Sequence, residues 1–302
     1  MTEPEENSKF YLSMAPAGRG ERRVALAAVL VSVALFLALA PFAKLPLAKV
    51  PAFIGAYQSL LVLLDLITAA LLLGQYVALR LPGLLALACG YFFTAAMALF
   101  HALTFPGLIA PSGLLGAGPQ STAWLYMFWH AGFPLLAIVY TLLKGEPTPV
   151  RRDGAAWPIL TGLAFACLAA AGLGELATGG QDLLPAIMQA DGYTATMAGV
   201  VFSVWALSVA ALAVLWRRRP HSLLDLWLMV TLCAWIIDIA LSAMLNAGRF
   251  DLGFYAGRIY GLCASSFVLV VLLTEHAALY RKRAAVRRRV RGERVLTEDI
   301  SR

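Results

Sequence analysis

Charged side chains are scarce in this sequence. Asp, Glu, Lys and Arg make up 14% of its 302 residues, against about 25% in soluble domains, whose surfaces must stay in water. The chain is 61% hydrophobic with a mean hydropathy of +0.77, more apolar length than one core can bury. Lipid is therefore its expected solvent. Catalytic signatures are missing as well. There is no G-x-S-x-G, H-E-x-x-H, P-loop or strand-linked G-x-G-x-x-G, so the chain is not expected to be an enzyme. The four cysteines, Cys89, Cys167, Cys233 and Cys263, lie in apolar runs and form no C-x-x-C pair. That argues against a disulfide framework or thiolate metal site and reads as buried small hydrophobes.

What is present is a series of long apolar runs. Eight reach membrane-crossing length, roughly 23–43, 57–78, 83–103, 123–143, 155–177, 196–216, 223–246 and 253–277. Pro46, Pro51, Pro82, Pro106, Pro147, Pro149 and Pro220 punctuate them. The first 22 residues are polar and include Glu3, Glu5 and Glu6, and the run that follows is too long for a cleavable signal. The expected fold is all-α, a polytopic transmembrane helix bundle of about eight spans. Three segments follow: a tail over 1–22, the eight-helix domain over 23–280, and a basic tail or connector over 281–302.

The net charge of +7 is not a nucleic-acid footprint, because its distribution is that of a membrane protein. Lys9, Arg19, Arg22, Arg23, Arg80, Lys144, Arg151, Arg152, Arg217, Arg218, Arg219 and the tail from Arg281 to Arg302 fall on one side of an eight-span layout. They are 20 of the 24 basic residues; Lys44, Lys49 and Arg249 fall opposite, and Arg258 lies inside a span. Positive residues stay inside, so both termini are expected in the cytoplasm. Between the third and fourth spans, residues 104–122 form an uncharged Gly/Pro-rich loop of 19 residues. Its Leu108, Ile109, Leu114 and Leu115 predict a lid folded back on the bundle. Residues 178–195 form a second, more polar loop with Asp182 and Asp191.

Polar residues at hydrocarbon depth carry the information in such a chain, since a central Asp or Arg costs roughly 2.5–3.5 kcal/mol. Asp65 and Asp238 each lie about 12 Å inside the outer boundary at the helical rise. His130 and Arg258 lie at similar depth, and His101 closes the third span above them. Asp65 or Asp238 is the expected counter-ion of Arg258. The pair reads either as a structural lock or, with the histidines, as the wall of a ligand cavity with Glu175 and Asn246 at its rim. His101 and His130 read either as hydrogen-bonding residues or as ligands of a metal ion or haem iron. In the string WLYMFWHAGFP, Pro134 frees the carbonyl of His130, which something must satisfy. Trp124 and Tyr126 fit an interfacial aromatic belt, whereas Trp129 lies deeper. Glu275 and His276 read as an interfacial pair.

Three stretches carry a resemblance: PAFIGAYQSLLVLLDLITAALLLGQY (51–76), GYFFTAAMALFHALTFPGLIAPSGLLGAGPQSTAWLYMFWHAGFP (90–134) and FDLGFYAGRIYGLCASSFVLVVLL (250–273). Over about residues 20–280 the chain resembles the fourth type of the MASE family, bacterial membrane-associated sensor domains. The resemblance implies a sensor of a periplasmic or membrane-borne cue that feeds a diguanylate cyclase or histidine-kinase output. About 25 residues follow the last span, against the roughly 100–200 of a folded signalling domain. A stand-alone sensor acting through a partner and a fragment both fit. The partners expected are the bilayer, a small ligand or ion, a cytoplasmic signalling domain and a second copy of the chain, but no nucleic acid. The rival reading is a haem- or metal-bearing redox protein or a small-solute transporter.

Overall fold

Lipid offers no partner to a backbone N–H or C=O, so each apolar run must satisfy its own backbone as a helix. A computed structural model describes residues 11, 15–145, 154–189 and 192–300, with side chains to Arg281 apart from 278 and 279. Glu3, Glu5, Glu6, Lys9, Arg151, Arg152, Asp191 and the tail side chains after Arg281 lie outside the described residues. The helices are α1 Arg19–Leu39, α2 Pro51–Leu79, α3 Pro82–Thr104 and α4 Ser121–Leu143. They continue as α5 Ala156–Ala177, α6 Ala195–Arg217, α7 Leu223–Ile239 and α8 Leu252–Ile300. A 3-10 turn, Ala40–Phe42, prolongs α1, and a π-helical segment, Ala240–Leu245, prolongs α7. All eight are long and apolar enough to cross a membrane. This is a polytopic helical membrane domain.

Local chemistry explains the boundaries. Pro51 and Pro82 open α2 and α3 at their first positions, where a missing N–H costs nothing. Hence α2 begins six residues before the expected 57: the proline starts the helix rather than separating it from a loop. Arg80, left-handed at φ 58°, closes α2 and turns the chain into α3. Ser222 and Asp225 form a capping box at the start of α7.

The bundle has an inside and a lipid face. Helices α3 and α7 are central and mostly buried, whereas α1 and α5 sit on the outside with few buried residues. Leu30, Leu37, Phe165 and Leu168 turn outward there, as residues facing lipid do. Cys167 and Cys263 are exposed as well, so only part of the cysteine set is buried as expected. At one end, Lys144 pairs with Asp225 and the 217–219 arginines follow α6; this is the basic end. At the opposite end, the Pro46–Asp251 and Gly192–Gly248 bridges join three connections, and a short ribbon pairs Met188–Gln189 (β1) with Gly192–Tyr193 (β2).

Helix α8 is the longest element, 49 residues. Its backbone stays helical past the hydrophobic span and through the basic stretch to Ile300, about 35 Å beyond Ala277 at the helical rise. Near its start Gly253, Gly257 and Gly261 recur every four residues. A Cβ on Gly257 would overlap Ser242 Oγ, and one on Gly261 would lie 3.0 Å from Asp238 Oδ2. The stripe lets α8 approach α7 more closely than side chains would allow.

Candidate functional site

Asp238, in the last turn of α7 and buried, is the hub of a polar network. Its Oδ1 accepts from Tyr126 Oη of α4 at 3.0 Å and from Ser242 Oγ at 2.9 Å. Its Oδ2 faces His130 Nε2 at 3.1 Å. The other ring nitrogen of His130, Nδ1, lies 2.8 Å from the carbonyl of Tyr126. A carbonyl only accepts, so Nδ1 carries a proton. The contact between Nε2 and Oδ2 then holds a second proton, and both imidazole nitrogens are engaged. The π-helical turn after Asp238 brings Ser242 back over the carboxylate, and Gly257 leaves the room for it.

The carbonyl that Pro134 frees has a partner within the protein. Trp235 Nε1 of α7 donates to His130 O at 3.2 Å, so this acceptor does not wait for an ion or ligand. Trp129 is buried as expected and touches both histidines, with ring centroids 6.3 Å from His101 and 4.8 Å from His130. Tyr126 corrects the belt reading: it is 6% exposed, bonds Asp238, and stacks on His130 at 3.8 Å. Its string of aromatics looked interfacial because sequence does not show which face of α4 meets α7.

Beside the network lies a cavity of about 40 Å³, at the end opposite the basic one. His101, Thr122, Tyr126, Ser242 and Arg258 line it from the helices and the π-helical segment, with Met188, Tyr193 and Arg249 contributed by the connections. His130 does not; it is sealed behind Tyr126. The expected shared cavity thus receives His101 alone. His101 Nδ1 meets Gln58 Nε2 of α2 at 2.7 Å. The amide nitrogen donates, which leaves Nδ1 as acceptor and puts the ring proton on Nε2.

Arg258 departs from expectation. It is 5% exposed but pairs with neither Asp65 nor Asp238 among the described residues. Its Nη1 donates to Phe254 O at 3.0 Å, and it lies over the Phe254 and Tyr126 rings at 3.4 and 5.7 Å. Asp238 instead spends its acceptors on Tyr126, Ser242 and His130. Asp65 lies apart from this group: its Oδ2 accepts from Thr94 Oγ1 of α3 at 2.7 Å, and Oδ1 has no partner in the protein.

A family profile, membrane-associated sensor, integral membrane domain (MASE4), matches residues 48–280. The chain belongs to the MASE4 family. The matched stretch runs from α2 through the membrane part of α8 and holds every residue of the network; α1 precedes it. Searches of curated proteins and of solved structures returned no match.

Within this MASE4 domain the expected metal or haem site at His101 and His130 does not fit the fold. Both nitrogens of His130 are bonded, the Tyr126 and Trp129 rings pack on both imidazoles, and a porphyrin would need a gap that those rings fill. Among the described residues no group of three His, Cys, Asp or Glu could hold a metal ion.

The expected 104–122 lid covers the cavity only in part, through Phe105 and Thr122. Leu108 packs inward with Ile54, Phe105 and Phe254, but Ile109 and Leu115 are exposed. The second loop adds Met188 and Tyr193 to the cover. Gln120 holds that loop, accepting at Oε1 from the Ile187 and Met188 amides and donating from Nε2 to Met188 O, each at 2.8 Å. Tyr193 donates to Ser242 O and accepts from Asn246 Nδ2. Burial pushes its phenol above the usual range, so it stays protonated as a donor. Asn246 bonds Tyr193 without lining the cavity itself, and Glu175 is exposed on α5. Toward the basic end, Glu275 is buried rather than interfacial: Gln75 Nε2 of α2 donates to it at 2.6 Å.

Proposed function

We propose that this membrane sensor domain receives a small periplasmic or membrane-borne cue in the cavity beside Asp238. It passes the cue along α8 to a cytoplasmic output of the diguanylate-cyclase or histidine-kinase type. The observation that carries the proposal is that one helix owns both ends of the path. Helix α8 supplies Arg258 to the cavity and Gly257 to the Asp238 contact, is tied by Glu275 to Gln75, and continues to Ile300.

A cue that alters the hold of Ser242 and Asp238 on α8 has one rigid element to move, and helix shifts of about 1–2 Å are a common switching step. The cue must contact the two positions of α8 differently to shift their populations. In this reading the protein sits in the bacterial inner membrane with the basic end in the cytoplasm, lipid on its outer faces, and a second copy or a signalling domain at the α8 end. A transporter reading lacks a comparable feature, whereas the family is one of sensors.

The test uses the full chain, free of native cysteines, in lipid nanodiscs. Spin labels at Leu142→Cys and Tyr280→Cys report the distance between the basic ends of α4 and α8. Asp238→Asn, which weakens the hub, is expected to shift or broaden that distance by about 1–2 Å or more. An unchanged distribution overturns the coupling.

A further inference from the structure

A guanidinium buried in a membrane domain is costly unless a counter-charge meets it. Arg258 has none among the described residues. One Nη1 proton goes to the carbonyl of Phe254 in its own helix, Nε is sealed in the packing without a partner, and the protons of Nη2 meet no acceptor in the protein. The Phe254 and Tyr126 ring faces attract the cation but cannot accept its hydrogen bonds in the plane where they point.

The cavity that Arg258 lines supplies what the side chain lacks. No Asp or Glu is among the lining residues. The nearest carboxylates are occupied elsewhere: Asp238 by Tyr126, Ser242 and His130, and Asp251 by the amides of Ala247, Gly248 and Phe254. Donors face the space instead. His101 carries its proton on Nε2 once Nδ1 accepts from Gln58, and the Thr122 hydroxyl, which accepts from Arg249, keeps its own proton to give. Size narrows the occupant further. A water needs about 10–15 Å³ by this measure, so about 40 Å³ admits three or four non-hydrogen atoms.

We infer that the cavity binds a small planar oxyanion, a one- or two-carbon carboxylate or an ion of the nitrate type, with Arg258 as its counter-ion. Nη2 and the second proton of Nη1 form an end-on fork that matches two coplanar oxygens, and His101 and Thr122 donate to the remaining lone pairs. Met188 and Tyr193 close the space from the second loop. The inference rests on the proposal that this cavity receives the cue, and adds the cue's chemical class.

Sodium formate, sodium acetate and sodium nitrate are titrated against the full chain in nanodiscs, with sodium sulfate holding the ionic strength. Saturation-transfer NMR follows the two carboxylates, and tryptophan fluorescence follows nitrate. Saturable binding is expected with a dissociation constant no tighter than about 0.05 mM, the ceiling for so few atoms. Arg258→Met removes the counter-ion, and Ala243→Leu fills the cavity while leaving the charge. Each is expected to weaken binding by about tenfold or more. The inference is overturned if none of the three anions saturates, if sulfate competes as well as they do, or if both variants bind within twofold of wild type.

The spin-labelled chain separates this failure from failure of the signalling reading. Saturable binding that leaves the Leu142–Tyr280 distance unchanged supports the site and overturns the coupling. A distance that responds to Asp238→Asn in a chain that binds no anion overturns the anion site alone.

Discussion

Gly257 is where α8 comes nearest to the Asp238 hub, so one added methyl tests the packing directly. A Cβ there overlaps Ser242 Oγ and falls 2.8 Å from Asp238 Oδ1 and 2.9 Å from the Asp238 carbonyl. The Asp238 carbonyl is backbone and cannot swing aside, so α8 must retreat even where Ser242 releases the carboxylate. Overpacking of this kind costs about 1–3 kcal/mol. The same substitution at Gly199 of α6, where no atom lies within 4 Å, should stabilise by up to about 1 kcal/mol through helix propensity alone. Reversible unfolding in mixed micelles is expected to place Gly257→Ala below Gly199→Ala by about 1–3 kcal/mol or more. Ser242→Ala should recover part of the loss when combined with Gly257→Ala, because it removes the nearest atom, although the two Asp238 contacts remain. Equal stability of the two alanine variants, or strict additivity of Gly257→Ala with Ser242→Ala, would refute the close approach of α8 to α7.

Four further outcomes follow from the same geometry. Trp235→Phe leaves the carbonyl of His130 without its donor and should lower unfolding stability by about 1–3 kcal/mol; an effect below the error of the assay removes Trp235 from that role. Arg258→Met should be neutral or stabilising, since it strands no carboxylate, and a loss of about 3–5 kcal/mol would reveal an ion pair after all. Gln120→Ala removes three hydrogen bonds to Ile187 and Met188, so amide exchange there should quicken by about tenfold, whereas unchanged protection would show that the loop is held without it. Reporter fusions after 49, 112, 185 and 249 should read as periplasmic and those after 80, 148, 219 and 290 as cytoplasmic; one firm inversion breaks the eight-span layout.

Much of the architecture is written in order along the chain. Apolar runs of about 20 residues cross lipid as helices, so composition and run length already dictate eight spans, and the basic residues already sort the connections into two sides. The Gly253, Gly257 and Gly261 spacing is also in plain sight, and read as a close-packing stripe it points to the face of α8 that meets α7. Depth along each helix is readable too: of Asp65, Asp238, His130 and Arg258, expected near one level, Asp238 and His130 meet directly.

Rotation about each helix axis is not written in the same way. In a helix that is apolar all round, lipid and protein faces have the same composition, so a hydrophobic stripe does not reveal which face turns inward. Tertiary packing alone decided that Asp238 meets His130, Tyr126 and Ser242 while Arg258 faces a cavity without a carboxylate. It also decided that Trp235, more than 100 positions along the chain, satisfies the carbonyl freed by Pro134, and that the second loop shares in the cover. Each of these choices turns on which helices become neighbours, and that depends on all the interfaces packing at once.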